Sequence, residues 1–457
     1  MPSRRPFVFL AVIAPGVLVA ATGVGAGDLA TGAFVGIRLG VGVVWAVVIG
    51  AFLKFVLNEG LARYQLATGR TLLEGAVYRI GRPVQYLFLP YLVLWSFFVG
   101  SALMTACGDA THAIFPVFDD PQRARQVFGI AHSILGMLIV SAGGFKVFEK
   151  IMGVCIAVMF VTAIVTAVAI APQWLDVVRG FVPQKVHFTD GGQLSRIIGL
   201  MGGVGGTLTV LCYGYWIREA GRAGGEAVRT CRIDLAVAYS LTALFGIAIV
   251  IIASTVSADG LEDKKKVALI VALAQQLESS LGASGKWLFL VGAWAALFSS
   301  LLGVWQSVPY IFTDFWEMSR RHKRGETLEE PVQVNINSLP YRFYLAALAI
   351  VPMFYLLSGG GFEKIQLMYA ILGACFMPML AAALLVLNGR SDWVGAKHRN
   401  RWYTVVLLCA VIAFFGWVGF DNVHKKWSKT AKAPRHETSE AARPPETQAV
   451  TSSPVDR

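Results

Sequence analysis

The sequence predicts an all-α membrane protein of about eleven spanning helices, built as two five-span halves plus one extra helix. Three observations carry that expectation. Of 457 residues, 56% are apolar and only 15% charged, with a mean hydropathy of +0.60. The apolar residues gather into eleven runs, most near the roughly 20 residues that a bilayer-spanning helix needs. Two dense glycine clusters interrupt the runs that would open each half. A soluble chain carries about 25% charged residues, so this composition excludes a soluble enzyme. The low cysteine count excludes a disulfide-stapled secreted domain, and the high apolar fraction excludes a disordered chain.

In order, the runs lie at roughly 7–37, 38–60, 83–107, 126–143, 146–171, 194–217, 232–256, 285–316, 341–357, 364–388 and 402–421. The first repeat is expected over 7–171 and the second over 194–388, inside a transmembrane domain of 1–422. The opening run could pass for a signal peptide, but the many spans that follow make it a retained first span. Around Leu273, Leu277 and Leu281 the spacing is helical, which predicts an amphipathic helix on the outer face. The stretch 423–457 is polar and rich in Pro, Ser and Thr, and is expected to be a disordered tail.

The net charge of +12 comes from 40 Lys and Arg against 28 Asp and Glu. These basic residues lie between apolar runs and form no nucleic-acid patch. With the N-terminus inside, inner segments hold 21 Lys and Arg and outer loops 11. That bias predicts a cytoplasmic N-terminus and, with eleven spans, an outside C-terminus, in a multi-pass protein of a prokaryotic inner membrane. The six cysteines form no Cys-x-x-Cys pair and read as small apolar fillers.

The first glycine cluster runs from Thr22 through Gly23, Gly25 and Gly27 to Gly32; the second is Gly202-Gly203-Val204-Gly205-Gly206-Thr207. Each Gly costs about 1 kcal/mol of helix propensity relative to Ala, so both stretches should unwind. In lipid, unwound backbone survives only inside protein or against a water-filled cavity. Interrupted spans at matching places in two halves predict a transporter with an inverted repeat, its solute site between the breaks. Close packing of helices through small residues is the plainer explanation, and Gly36-Gly40 and Gly199-Gly203 fit that spacing. Asp28 is the sharpest residue. A carboxylate inside a span costs about 2.5–3.5 kcal/mol on insertion scales, so it must face a cavity, a cation or a donor. It could also be an N-cap of a half-helix starting at Leu29.

Other polar residues read as follows. Lys54, Asn58, Glu59 and Arg63 descend the second span as i,i+4 pairs, either an inner-end salt bridge or a vestibule that passes charge. Tyr213, Tyr215, Trp216, Arg218 and Glu219 resemble an interfacial belt or gate. His132 is a proton relay or a hydrogen-bonded packing residue. Asp109 and His112 read as a solvated outer pair, and Asp314 and Glu317 as water-exposed ends of the eighth span. Gln306 lies deeper and could line the cavity.

Taken together, these motifs resemble the Nramp family of divalent-metal transporters. Ala14-Pro15-Gly16-Val17-Leu18-Val19-Ala20 and Gly27-Asp28-Leu29-Ala30-Thr31 are similar to that family's opening motif. Ala67-Thr68-Gly69-Arg70-Thr71-Leu72-Leu73-Glu74 is similar to its Ala-Thr-Gly-Lys/Arg-x-Leu-x-Glu stretch, the most specific match. The resemblance implies a LeuT-like fold with broken first and sixth helices. It also exposes departures. The family's Asp-Pro-Gly-Asn and Met-Pro-His motifs are missing. Aligned by the flanking residues, Gly25 stands at the family's Asp, Asp28 at its Asn, Gly203 at a carbonyl position, Gly206 at its Met, Leu208 at its His and Phe376 at a Gln. The third span lacks the acidic residues of the family's proton route.

The resemblance therefore implies a metal site of Asp28 with the carbonyls of Gly25 and Gly203, within a substrate site of Gly25, Ala26, Asp28, Gly203, Gly206, Thr207 and Gln306. Lys54, Asn58, Glu59, His132 and Tyr213 are candidates for coupling or a vestibule. Without a thioether, such a site favours hard cations, Mg2+-like, over soft ones. The expected activity is alternating-access transport of a divalent cation by a non-enzyme that needs no cofactor. The alternative is a small anion or zwitterion such as bicarbonate, a carboxylate or an amino acid, coupled to Na+ or H+, because glycine-rich half-helix N-termini suit anions.

Overall fold

A computed structural model of the chain describes residues 5–170, 172–183, 191–256, 269–326 and 334–432. Every regular element among them is helical. Nine helical segments are long and apolar enough to cross a membrane, and Ile13–Gly23 and Trp402–Trp417 are shorter apolar pieces. One of the nine, Gly27–Thr68, contains both the second half of the first span and all of the second. Counting the shorter pieces as parts of the first and last spans gives the expected eleven.

The first half opens with α1 (Arg5–Gly23) and α2 (Ala26–Leu39), the two pieces of the broken first span. The helix then turns through Gly40–Val43 into α3 (Val44–Thr68). After the short α4 (Leu72–Arg79) comes α5 (Arg82–Ile114), the third span. Spans four and five form one long element, α6 (Pro121–Ala169), bent where Gly144 takes φ +63°. A short surface helix, α7 (Trp174–Arg179), leads to the second half.

There α8 (Gly191–Gly203) and α9 (Cys212–Glu219) are the pieces of the broken sixth span, joined through a 3-10 turn over Leu208–Leu211. Next come α10 (Ala227–Ser254) and α11 (Leu269–Lys323), the latter bent at Gly282 (φ +73°). The amphipathic segment expected around Leu273 forms the first limb of α11, and Leu273 and Leu277 are buried against the body. The ninth span is α12 (Leu339–Ile350) continued by α13 (Met353–Leu357), the tenth is α14 (Phe362–Leu387) and the last is α16 (Trp402–Lys432), after the one-turn α15 (Ser391–Val394).

α1 and α2 pack against α10, α8 packs against α2 and α3, and α11 packs against α5 and α6. The two broken spans therefore lie together at the centre, enclosed by the longer helices.

Several local expectations change. The last helix continues to Lys432, past the expected end at 421, so the first ten residues of the polar stretch are helical. Residues 433–457, and the loop bearing Lys264–Lys266, lie outside the described residues. Asp109 is no solvated group: it is buried and held by Arg125 at 2.6 Å. Asp314 is fully buried as well. Of the cysteines, Cys107, Cys155, Cys212 and Cys231 are buried, whereas Cys375 and Cys409 face outward.

Candidate functional site

The first break is short. Helical bonding stops after Gly23, Val24 and Gly25 turn, and α2 starts at Ala26. Gly25 takes the N-cap position with no side chain to cap, and its carbonyl accepts from Leu29 at 3.0 Å. Asp28 is therefore no N-cap. It sits in the first turn of α2, where an anion suits the helix dipole, and its carboxylate leaves its own helix. Both oxygens accept the amide N–H of Gly205, each at 3.2 Å.

The second break is longer. α8 ends at Gly203, and Val204–Thr207 is non-helical before the 3-10 turn. Gly205 and Gly206 hold φ +77° and +83°, a region that favours glycine. A Cβ on Gly23 would stand 2.6 Å from the carbonyl carbon of Gly205, and one on Gly206 would stand 3.0 Å from the Gly23 Cα, so backbone meets backbone here only because Gly23 and Gly206 have no side chains. At Gly25 a Cβ would collide with Ser300, whose hydroxyl donates to the Thr22 carbonyl at 2.8 Å.

Lys54 completes this centre. Sequence spacing put it in an inner-end pair with Asn58, yet Asn58 donates instead to the Tyr239 hydroxyl at 3.0 Å. The Lys54 ammonium is fully buried and donates to the carbonyls of Gly202, at 3.1 Å, and Gly206. These groups belong to the C-terminal end of α8 and the loop after it, where unsatisfied carbonyls and the negative end of the dipole attract a cation. The second break thus gives its N–H to a carboxylate and its C=O groups to an ammonium.

Thr207 accepts the Trp95 indole N–H at 3.0 Å. Tyr369 lies alongside, its ring 6.0 Å from that of Trp95 and its hydroxyl 3.8 Å from a notional Gly27 Cβ. Asp28, Lys54, Trp95 and Thr207 are all buried, so the centre is closed off. The donor set that surrounds it is oxygen-rich: one carboxylate, backbone carbonyls and hydroxyls. No His, Cys or Met stands within 23–28 or 203–207. Among the described residues no three His, Cys, Asp or Glu side chains cluster as a metal site.

The other candidates separate from this centre. Gln306 accepts from Trp216 at 3.0 Å and lines a cavity of about 270 Å3 with Glu219, Tyr310 and Tyr341. Glu59 pairs with Arg63 at 3.2 Å and Arg232 at 2.7 Å. His132 has the geometry of a packing residue: Nδ1 lies 2.7 Å from the Phe128 carbonyl and Nε2 accepts from Trp294 at 3.0 Å. Of Ala26, the side chain lies outside what is described, and its backbone starts α2.

Two polar networks lie beyond the centre. Tyr213 donates to Asp234 at 2.9 Å, Arg222 pairs with the same carboxylate at 2.7 Å, and its other oxygen accepts the amide of Gly16 at 2.8 Å. This ties α1 to α9 and α10. In the second, the Thr71–Glu74 capping box starts α4, Glu74 pairs with Arg218 at 3.1 Å, and Tyr215 donates to Asp314 at 2.6 Å. Thr71 also reaches Asp314 at 3.2 Å. The Ala-Thr-Gly-Arg-x-Leu-x-Glu motif therefore closes a latch between the halves. Asp234 escaped the sequence reading, and Asp314, read as a water-exposed span end, is buried instead. The signal at Asp234 was a carboxylate inside an apolar run.

Two broken helices meeting back to back, one bringing a carboxylate and the other its bare backbone, define a membrane transporter with a LeuT-like fold. The chain belongs to the Nramp family: the family model, "Natural resistance-associated macrophage protein-like", matches residues 16–420.

Relatives named divalent metal cation transporter MntH share 24% identity with it. One, from Staphylococcus saprophyticus, matches over 200 residues (44% of this chain and 43% of the relative), and one from Staphylococcus aureus over 194 residues (42% of each). These matches span less than half the length of those curated relatives. The fold is similar to a manganese transporter of Eremococcus coleocola, with a TM-score of 0.75 at 16% identity over 95% of this chain and 90% of that one. It is also similar to MhsT in complex with L-phenylalanine, with a TM-score of 0.59 at 15% identity over 90% and 97% of the two chains.

Proposed function

We propose that this protein transports a divalent cation by alternating access, one bundle of helices rocking against the other around the two breaks. The observation that carries the reading is Asp28: a buried carboxylate at the meeting point of two unwound segments, with backbone carbonyls and hydroxyls as the other cation donors nearby. Intramembrane carboxylates are costly and mark ion pathways. Cation donors that are all oxygens suit hard ions, so Mg2+-like ions are preferred over soft ones. The family and its curated relatives support the cation class. The N-terminus is assigned to the cytoplasm and the C-terminus to the outside of a bacterial plasma membrane, on the Lys and Arg bias.

A second reading rests on Lys54. An ammonium fixed beside Asp28 makes the site close to neutral, which suits a zwitterion or small anion. Uptake into proteoliposomes of Mg2+, Mn2+, bicarbonate and amino acids, with and without proton or sodium gradients, separates the two. Saturable cation uptake that is lost in Asp28→Asn supports the first reading. Saturable anion or zwitterion uptake with no cation flux replaces it with the second.

A further inference from the structure

We propose that Lys54 is a tethered stand-in for the transported cation: in the empty carrier its ammonium occupies the carbonyls of the second break, and cargo displaces it. The inference rests on the cation reading above.

The geometry carries it. The Lys54 ammonium binds the carbonyls of Gly202, in the last turn of α8, and of Gly206, in the loop that follows. Those carbonyls are what a cation entering this break would use. Asp28 holds the Gly205 amide of the same four-residue loop. A divalent ion bound there with the ammonium still in place would be repelled at close range in a medium of low dielectric. Cargo and ammonium must therefore alternate. Lysine is suited to the exchange, since its charge rides on a flexible four-carbon stem.

The alternation gives the empty carrier a way back. To return without cargo, a transporter must bury its site empty. A lone buried carboxylate is expensive unless it is compensated. With Lys54 folded in, the charge of Asp28 is balanced and the loop carbonyls are satisfied, so the empty site can close. Both residues are buried in the structure, as this requires.

The test uses the full chain in proteoliposomes and in detergent, with Mn2+ and Mg2+ as probes. Lys54→Met removes the charge while keeping the bulk. It should bind the ions about tenfold more tightly or better, since the competing charge is gone. Net uptake should fall relative to counterflow exchange by about tenfold or more, because exchange never needs the empty site to close. Lys54→Gln, which keeps donors for the carbonyls but not the charge, should show the same two changes and stands in if the Met variant does not fold.

A Lys54 that only caps α8 would lower thermal stability and reduce net uptake and counterflow together, with affinity unchanged. That outcome overturns the proposal, as does unchanged behaviour in both variants. Failure of the cation reading looks different. If the wild type neither binds nor carries an ion, the cation reading itself falls and the proposal falls with it, whatever the variants bind. If the wild type carries the ion and the Lys54 variants behave as wild type, the proposal alone falls. If wild-type anion uptake disappears with Lys54, the residue is a cargo ligand and the proposal is wrong.

Discussion

The two breaks are built from the same residue type and do opposite work. In the first, the chain leaves the helix for two residues and resumes with Asp28 in the opening turn. Its contribution is a side chain. In the second, four residues leave the helix and two glycines adopt left-handed conformations. Its contribution is the backbone itself, an N–H for Asp28 and carbonyls for Lys54. Glycine in the first break lets helices touch; in the second it also allows the turn. The lesson is that an inverted repeat can keep its geometry while dividing the chemistry unequally between its halves.

The largest expected effect comes from removing the one side chain that the first break supplies. Asp28→Asn should reduce cation uptake by about a hundredfold or more, because an amide offers a weaker ligand and no compensating charge. Radioisotope uptake into proteoliposomes measures it. If uptake survives, the first break is structural only.

Next in size are the glycines of the second break. Gly205→Ala places a Cβ at φ +77° and 2.8 Å from the Tyr239 ring. Strain of this kind costs about 1–3 kcal/mol, read as a lower melting temperature in detergent together with lost transport. Gly25→Ala has no left-handed conformation to lose (φ −123°). It should act through the clash with the Ser300 Cβ and Oγ, and Ser300→Gly in the same chain should partly restore it. Rescue at Gly25 but not at Gly205 would sharpen the contrast between the breaks.

A smaller effect is expected at the latch. Glu74 is buried while Arg218 is 28% exposed on its side chain. Glu74→Gln weakens a partly screened pair, so its cost should be about 1–2 kcal/mol. Loosening one side of the carrier should also change the ratio of inward to outward flux, measurable in oriented vesicles. Smallest of all is Gln306→Ala. It should leave ion affinity within about twofold, because Gln306 bonds Trp216 in a separate cavity.

The sequence made the fold legible through span length, loop charge and the matching glycine clusters, signals that act over tens of residues. It also made Asp28 legible, since a carboxylate in an apolar run is conspicuous. Lys54 was visible for the same reason, being a basic residue in the middle of an apolar run. Its role was not, because helical spacing offered a local partner in Asn58 and the true partners are carbonyls some 150 residues away. Asp314 was misjudged likewise: it lies near a span end, and only folding brings Tyr215 and Thr71 against it. The break carbonyls carry no sequence signature at all beyond the glycines that expose them. Long-range pairing of backbone with side chain is what a linear reading cannot supply.

The most direct test of the central claim is equilibrium binding of Mn2+ and Mg2+ to the purified wild type and to Asp28→Asn. If the meeting point of the two breaks is the cation site, the wild type binds with saturation and the variant loses that binding. Equal binding by the two proteins would place the cation elsewhere and contradict the account.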